Sequence, residues 1–191
     1  YKVGVVAQSH AVVEHMLDRI VAAGVPPHQV GKALKKPDDA ERVRFTPIPK
    51  NGVAAFTAEH AASGFVVGGT AWDFAHEGRI PRGSLDLLVI DEAGQFSLAS
   101  TIAVSLASSR LLLLGDPQQL PQVSQGTHPE PVDTSALGWV MDGADVIPPD
   151  YGFFLARSWR MHPAVARAVS DLSYRGELAA QPATAMRVLE G

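Results

Sequence analysis

The chain contains no cysteine. Disulfides and thiolate metal centres are therefore excluded, and a reducing, cytoplasmic setting is expected. Nothing approaches the roughly 20 consecutive apolar residues that a bilayer-spanning helix needs. A leader pattern is also missing, so no membrane partner is expected. There is no basic excess: 16 Lys and Arg face 20 Asp and Glu, for a net charge of −4. That balance argues against a dedicated nucleic-acid-binding module. The 7 histidines have no metal-ligand spacing. Neither His-Glu-x-x-His nor Gly-x-Ser-x-Gly occurs, which removes two common hydrolase chemistries. What remains is 46% hydrophobic residues in 191, enough for a buried core.

The apolar residues fall into short runs that end in polar ones. Leu87-Leu88-Val89-Ile90 stops at Asp91-Glu92, and Leu111-Leu112-Leu113-Leu114 stops at Gly115-Asp116-Pro117-Gln118-Gln119. Such runs predict buried parallel strands. Strands are expected at Lys2–Ala7, Phe65–Gly69, Asp86–Asp91 and Arg110–Gly115, with a further one starting at Phe153-Phe154-Leu155. Helices are expected after Ser9, where Ala11, Val12, Met16, Leu17, Ile20 and Val21 recur at helical spacing, and over 53–63, 97–108 and 163–171. Segments 25–52, 71–84 and 116–151, rich in Pro, Gly or charge, read as irregular. Strands alternating with helices predict a parallel sheet covered on both faces. Ligands of such sheets bind at the carboxyl ends of the strands. Gln8-Ser9, Gly69-Thr70, Asp91-Glu92 and Asp116–Gln119 all fall there.

Adjacent carboxylates at a strand end repel by about 3 kcal/mol at ~5 Å and an effective dielectric near ~20. A Mg²⁺ ion, which takes one or two carboxylates plus substrate phosphates, would relieve that. Asp91 is the candidate metal ligand, and Glu92 the candidate general base for an attacking water. Asp91 could instead cap the next helix. Gln119 offers a neutral amide to sense a γ-phosphate, although Pro117 and Pro121 explain a turn unaided. Arg160, between a strand and a helix, could stabilise transferred charge. His162-Pro163 reads as helix-start architecture. Ser9 and Thr70 suit contacts to a nucleic-acid backbone. Trp72 could stack on a base or pack in the core. Lys32, Lys35, Lys36, Arg42, Arg44 and Lys50 form a charged segment that is either a solvated loop or a phosphate contact.

One part of a nucleotide motor is missing. The pair Gly31-Lys32 lacks the preceding glycine and the following Ser or Thr of a phosphate-binding Gly-x-x-x-x-Gly-Lys-Ser/Thr loop. Charge-assisted hydrogen bonds contribute roughly 1.5–3 kcal/mol each, so loss of that cradle forbids useful ATP turnover by these residues alone.

Asp91-Glu92-Ala93-Gly94-Gln95, Gly115-Asp116-Pro117-Gln118-Gln119-Leu120-Pro121 and Trp159-Arg160-Met161-His162-Pro163 with Tyr174-x-Gly176-x-Leu178 resemble motifs II, III and IV of superfamily 1 helicases. The resemblance is to the 1B branch, which includes nuclease–helicases and helicases of nonsense-mediated decay. Val5–Val13 is similar to motif Ia and Val67–Trp72 to motif Ic. The wording Gln122–Glu130 is similar to bacterial proteins that fuse a RecB-type nuclease to such a helicase. The resemblance implies an incomplete pair of RecA-like P-loop NTPase domains. Residues 1–148 would be most of the first, without the Walker A strand, and 149–191 the start of the second. It implies ATP and Mg²⁺ as cofactors and single-stranded nucleic acid as partner, DNA in preference to RNA. It also implies that the rest of the parent protein supplies Walker A and motifs V and VI, with a nuclease domain as a further fused partner. It carries Mg²⁺ binding onto Asp91, water activation onto Glu92, γ-phosphate sensing onto Gln119 and an arginine-finger-like role onto Arg160. Strand contacts fall on Ser9 and Thr70. Two other readings of the same residues are a catalytically dead RecA-like scaffold and a metal-dependent nuclease.

Overall fold

In the computed structural model, residues 1–34, 37–120 and 126–187 are described. The chain divides by contacts into two units, Tyr1–Leu137 and Gly138–Gly191. Lys35, Lys36, Pro121 and the stretch Gln122–Gln125 lie outside the described residues.

The first unit is built on six parallel strands: β1 (Lys2–Val6), β2 (Val30–Ala33), β3 (Thr46–Ile48), β4 (Phe65–Gly69), β5 (Leu87–Ile90) and β6 (Leu111–Leu113). Their spatial order is β3-β2-β4-β1-β5-β6. Four of them match the apolar runs. β2 and β3 correct the expectation that 25–52 is irregular. Both hide their identity: β2 reads Val-Gly-Lys-Ala and β3 contains Pro47. Proline is tolerated in β3 because that strand is at the sheet's edge.

Among the described residues, α1 (His10–Ala22), α2 (Val53–Glu59), α3 (Ala71–Phe74) and α4 (Leu98–Ser105) belong to this unit, and α5 (Ala136–Met141) begins at its end. Here α3 corrects the loop expected over 71–84, and α5 interrupts the connector expected over 116–151. The boundary between the two units falls inside α5.

Glycines in the strands let helices approach both faces. A Cβ on Gly68 would sit 2.6–2.7 Å from Leu17 and Val13 of α1. One on Gly4 would meet Phe74 of α3 at 2.6 Å and Leu88 at 2.8 Å. Gly4 pairs with Val67 and Val5 with Gly68 in register, so these contacts lie on opposite faces. Val5, Val13, Leu17, Val30, Phe45 and Val89 form the core beneath α1.

Lys32 is the largest surprise of this unit. It belongs neither to a solvated loop nor to a phosphate contact. It is 1% exposed, and its Nζ donates to Glu14 Oε1 of α1 at 2.7 Å and to the Ala33 carbonyl at 3.2 Å. A buried ammonium needs such partners to offset its desolvation.

The second unit contains β7 (Arg157–Ser158) paired in parallel with β8 (Ala179–Ala180), and α6 (Pro163–Ser173). The strand expected to start at Phe153 does not form. Phe153 is 94% and Leu155 82% exposed, and pairing begins only at Arg157. Pro163 occupies the first turn of α6, and His162 caps it, Nδ1 accepting from the Ala164 N–H at 3.2 Å.

Candidate nucleotide and nucleic-acid site on the sheet rim

The carboxyl ends of four neighbouring strands are level. Gly69 of β4 pairs with Val6 of β1, Val6 with Ile90 of β5, and Ile90 with Leu113 of β6. Thr70, Ser9, Asp91-Glu92 and the Gly115–Gln119 loop therefore follow one another along one rim, in that order. With strands about 4.8 Å apart, the rim from β4 to β6 spans about 14 Å.

Asp91 leaves β5 while still held by the ladder, its N–H donating to the Val6 carbonyl at 2.9 Å. Glu92 has φ +54°, a left-handed conformation unusual for a side-chain-bearing residue. The turn is closed by the Gln95 N–H to the Glu92 carbonyl at 2.8 Å and anchored by the Ala93 N–H to the Leu114 carbonyl at 2.8 Å. Asp142 and Arg175 share this left-handed conformation, which marks a tight turn and by itself assigns no role. Asp91 does not cap the next helix: that is Ser97, whose Oγ accepts from the Ser100 N–H at 3.2 Å.

The turn after β5 and the loop after β6 interlock through glycines. A Cβ on Gly94 would fall 2.2 Å from the Asp116 carbonyl oxygen. One on Gly115 would fall 2.7 Å from the Ala93 nitrogen and 2.9 Å from that of Gly94. Gly115 thus serves close backbone approach rather than an unusual φ. Asp116 shapes its own loop, Oδ1 accepting from the Gln118 N–H at 3.0 Å, with Gln119 Nε2 at 3.5 Å from Oδ2. Gln119 is exposed on that loop.

Ser9 and Thr70 differ in what they can still offer. Ser9 Oγ accepts from the Val12 N–H at 3.3 Å, which leaves its proton to donate. The Thr70 hydroxyl donates to Asp73 Oδ2 at 2.9 Å, the same oxygen that takes the Thr70 N–H at 2.8 Å. Asp73 is in turn paired with Arg79. A phosphate at Thr70 would have to displace a carboxylate. The pattern Thr70-x-x-Asp73 announces this capping box, and sequence reasoning passed over it. Trp72 is 85% exposed on α3, so the core-packing alternative is excluded. Arg160 lies in the second unit, exposed in the turn between β7 and α6, its N–H donating to Ser158 Oγ at 3.3 Å and its carbonyl accepting from Arg187.

Beside the acids lies a cleft of about 510 Å³, lined by Ala11, Val12, His15, Met16 and Arg19 of α1 and by Asp91 and Glu92. No group of three or more His, Cys, Asp or Glu that could enclose a metal occurs among the described residues. The donor set fits a hard ion that takes most of its ligands from water and phosphate.

A family described as an AAA domain matches residues 74–125, which include both the Asp91 turn and the Gly115–Gln119 loop. DNA-binding protein SMUBP-2 of Rattus norvegicus is 31% identical over 115 residues, covering 58% of this chain and 11% of the relative. The protein of the same name from Mesocricetus auratus is 29% identical over 115 residues, with the same coverage. The similarity is to superfamily 1 helicase-type proteins. The chain spans about a tenth of the length of these curated relatives.

Proposed function

We propose that this chain is the central part of an ATP-dependent superfamily 1 helicase that moves along single-stranded nucleic acid. DNA is preferred over RNA in this reading, which the DNA-binding relatives support. The observation that carries it is the level rim, where acid, amide and hydroxyl groups from four strands line up. Ser9, Thr70 and Trp72 would contact the strand at one end of the rim. At the other end Asp91 would hold Mg²⁺, which neutralises phosphate charge when bound. Glu92 would accept a proton from the attacking water, and Gln119 would report the γ-phosphate. Arg160 would contribute an arginine finger from the second RecA-like domain. Domain limits of 1–148 and 149–191 belong to the same proposal, as do a cytoplasmic setting and a fused nuclease.

The sheet itself supports a missing phosphate-binding unit. Strand β6 pairs with β5 on one side only among the described strands, and Leu111, Leu112 and Leu114 are 40%, 44% and 37% exposed. Parallel sheets are normally covered on both faces. On the face that α1 covers, Leu112 pairs with Val89 and so points the same way as that buried residue, yet it is exposed. A further parallel strand beside β6, followed by a right-handed crossover helix, would fill that surface and direct the helix N-terminus at the acids. A phosphate cradle belongs at that position.

The decisive experiment is ATP hydrolysis by the full-length protein with and without a single-stranded oligonucleotide. Stimulated turnover is expected, with Glu92→Gln cutting it at least ~100-fold while ATP binding persists. Turnover unchanged in Glu92→Gln removes the role of Glu92, and no hydrolysis by the wild type removes the reading.

A further inference from the structure

We propose that Gln8 is a positioning residue that transmits occupancy of the Ser9 loop to the Glu92 turn. The inference rests on the helicase reading above and names how its two ends communicate. Gln8 follows β1, next to Ser9, and is exposed. Its Nε2 donates to the Gln95 carbonyl at 2.8 Å, across 87 residues of sequence. Gln95 is the far end of the catalytic turn, because its own N–H closes on the Glu92 carbonyl at 2.8 Å. The near end is fixed independently by the bonds of Asp91 to Val6 and of Ala93 to Leu114. Through Gln95, Gln8 therefore acts on the closing half of the turn.

The half it acts on contains the strained residue. Glu92 sits at φ +54°, and the direction of its carboxylate depends on how the turn closes behind it. A phosphate bound by Ser9 would shift the Ala7–Ser9 backbone, carry the Gln8 amide with it and change the set of the turn. A solvent-exposed amide–carbonyl bond contributes little to folding, since water replaces it readily. Its geometric consequence is larger than its energetic one, which is the mark of a coupling contact.

The test uses the full-length protein with oligothymidylate as the probe. Gln8→Leu keeps the side-chain bulk and removes the donor. Gln8→Lys keeps an N–H donor long enough to reach Gln95. The expected result is that Gln8→Leu retains basal ATP turnover and oligonucleotide affinity but loses stimulation by about 5-fold or more, a typical coupling magnitude. Gln8→Lys should restore stimulation. Amide exchange at residues 92–95 should respond to oligonucleotide in the wild type and not in Gln8→Leu. Full stimulation of Gln8→Leu overturns the inference, as does failure of Gln8→Lys to restore it. Lost oligonucleotide affinity in Gln8→Leu also overturns it, by making Gln8 a direct contact. A wild type that hydrolyses no ATP instead overturns the helicase reading itself.

Discussion

Glu92 carries a conflict that the fold tolerates. The left-handed conformation costs an ordinary residue roughly 1–2 kcal/mol. Glycine would release that cost, less about 0.5–1 kcal/mol for its freer unfolded chain. Glu92→Gly should therefore raise the melting temperature of this chain by up to about 6 °C, at roughly 2–4 °C per kcal/mol for a chain of this size. Ala55→Gly, at an exposed position inside α2, should lower it. A melt in which Glu92→Gly is the less stable of the two would mean that no strain is stored at Glu92. The place of the carboxylate at a strand end was legible from the sequence because an apolar run that stops at polar residues marks where a strand leaves the core. Its backbone strain was not, since φ depends on the closure of the turn onto Gln95 and Leu114. Trp72 was ambiguous for a similar reason: exposure is decided by which way a four-residue helix faces.

At the level of elements, the strands that bear the candidate site were readable and those that support it were not. β1, β4, β5 and β6 are apolar runs bounded by polar residues. β2 lies inside the sheet yet contains Gly31 and Lys32, both strand-weakening by composition. Gly31 is needed there because a Cβ would sit 2.6 Å from Ile48 and 2.8 Å from Phe56, and Lys32 is accommodated by Glu14. Both are tertiary reasons, invisible to local propensity. Tertiary approach also explains Gly94 and Gly115, whose neighbours are backbone atoms that cannot rotate away. Gly94→Ala and Gly115→Ala should each cost about 1–3 kcal/mol. Gly152→Ala, whose Cβ would meet only Ile147 at 3.5 Å, should be close to neutral. The double variant should cost clearly less than the sum, because both changes part the same two loops. Thermal melts of the four proteins decide it, and strict additivity would mean that the loops do not act as one body.

The molecule as a whole has a sheet whose two edges are unlike. β3 ends the sheet with a proline, which discourages further pairing. β6 ends it with leucines, which invite pairing, and Leu111, Leu112 and Leu114 are exposed there. If that side is completed by another strand and helix in the longer protein, this chain alone should behave as an incomplete fold. It should self-associate as concentration rises, and sedimentation velocity should reveal it. Leu112→Lys places a charge on the open face at a position already 44% exposed, so it should suppress association with little loss of stability. In the full-length protein the same substitution should behave oppositely. There it would bury a lysine beneath the completing helix, at a cost of several kcal/mol, and ATP binding should fall with it. A Leu112→Lys variant that is harmless in both contexts would mean that nothing covers β6, and the proposed position of the phosphate cradle would have to be abandoned.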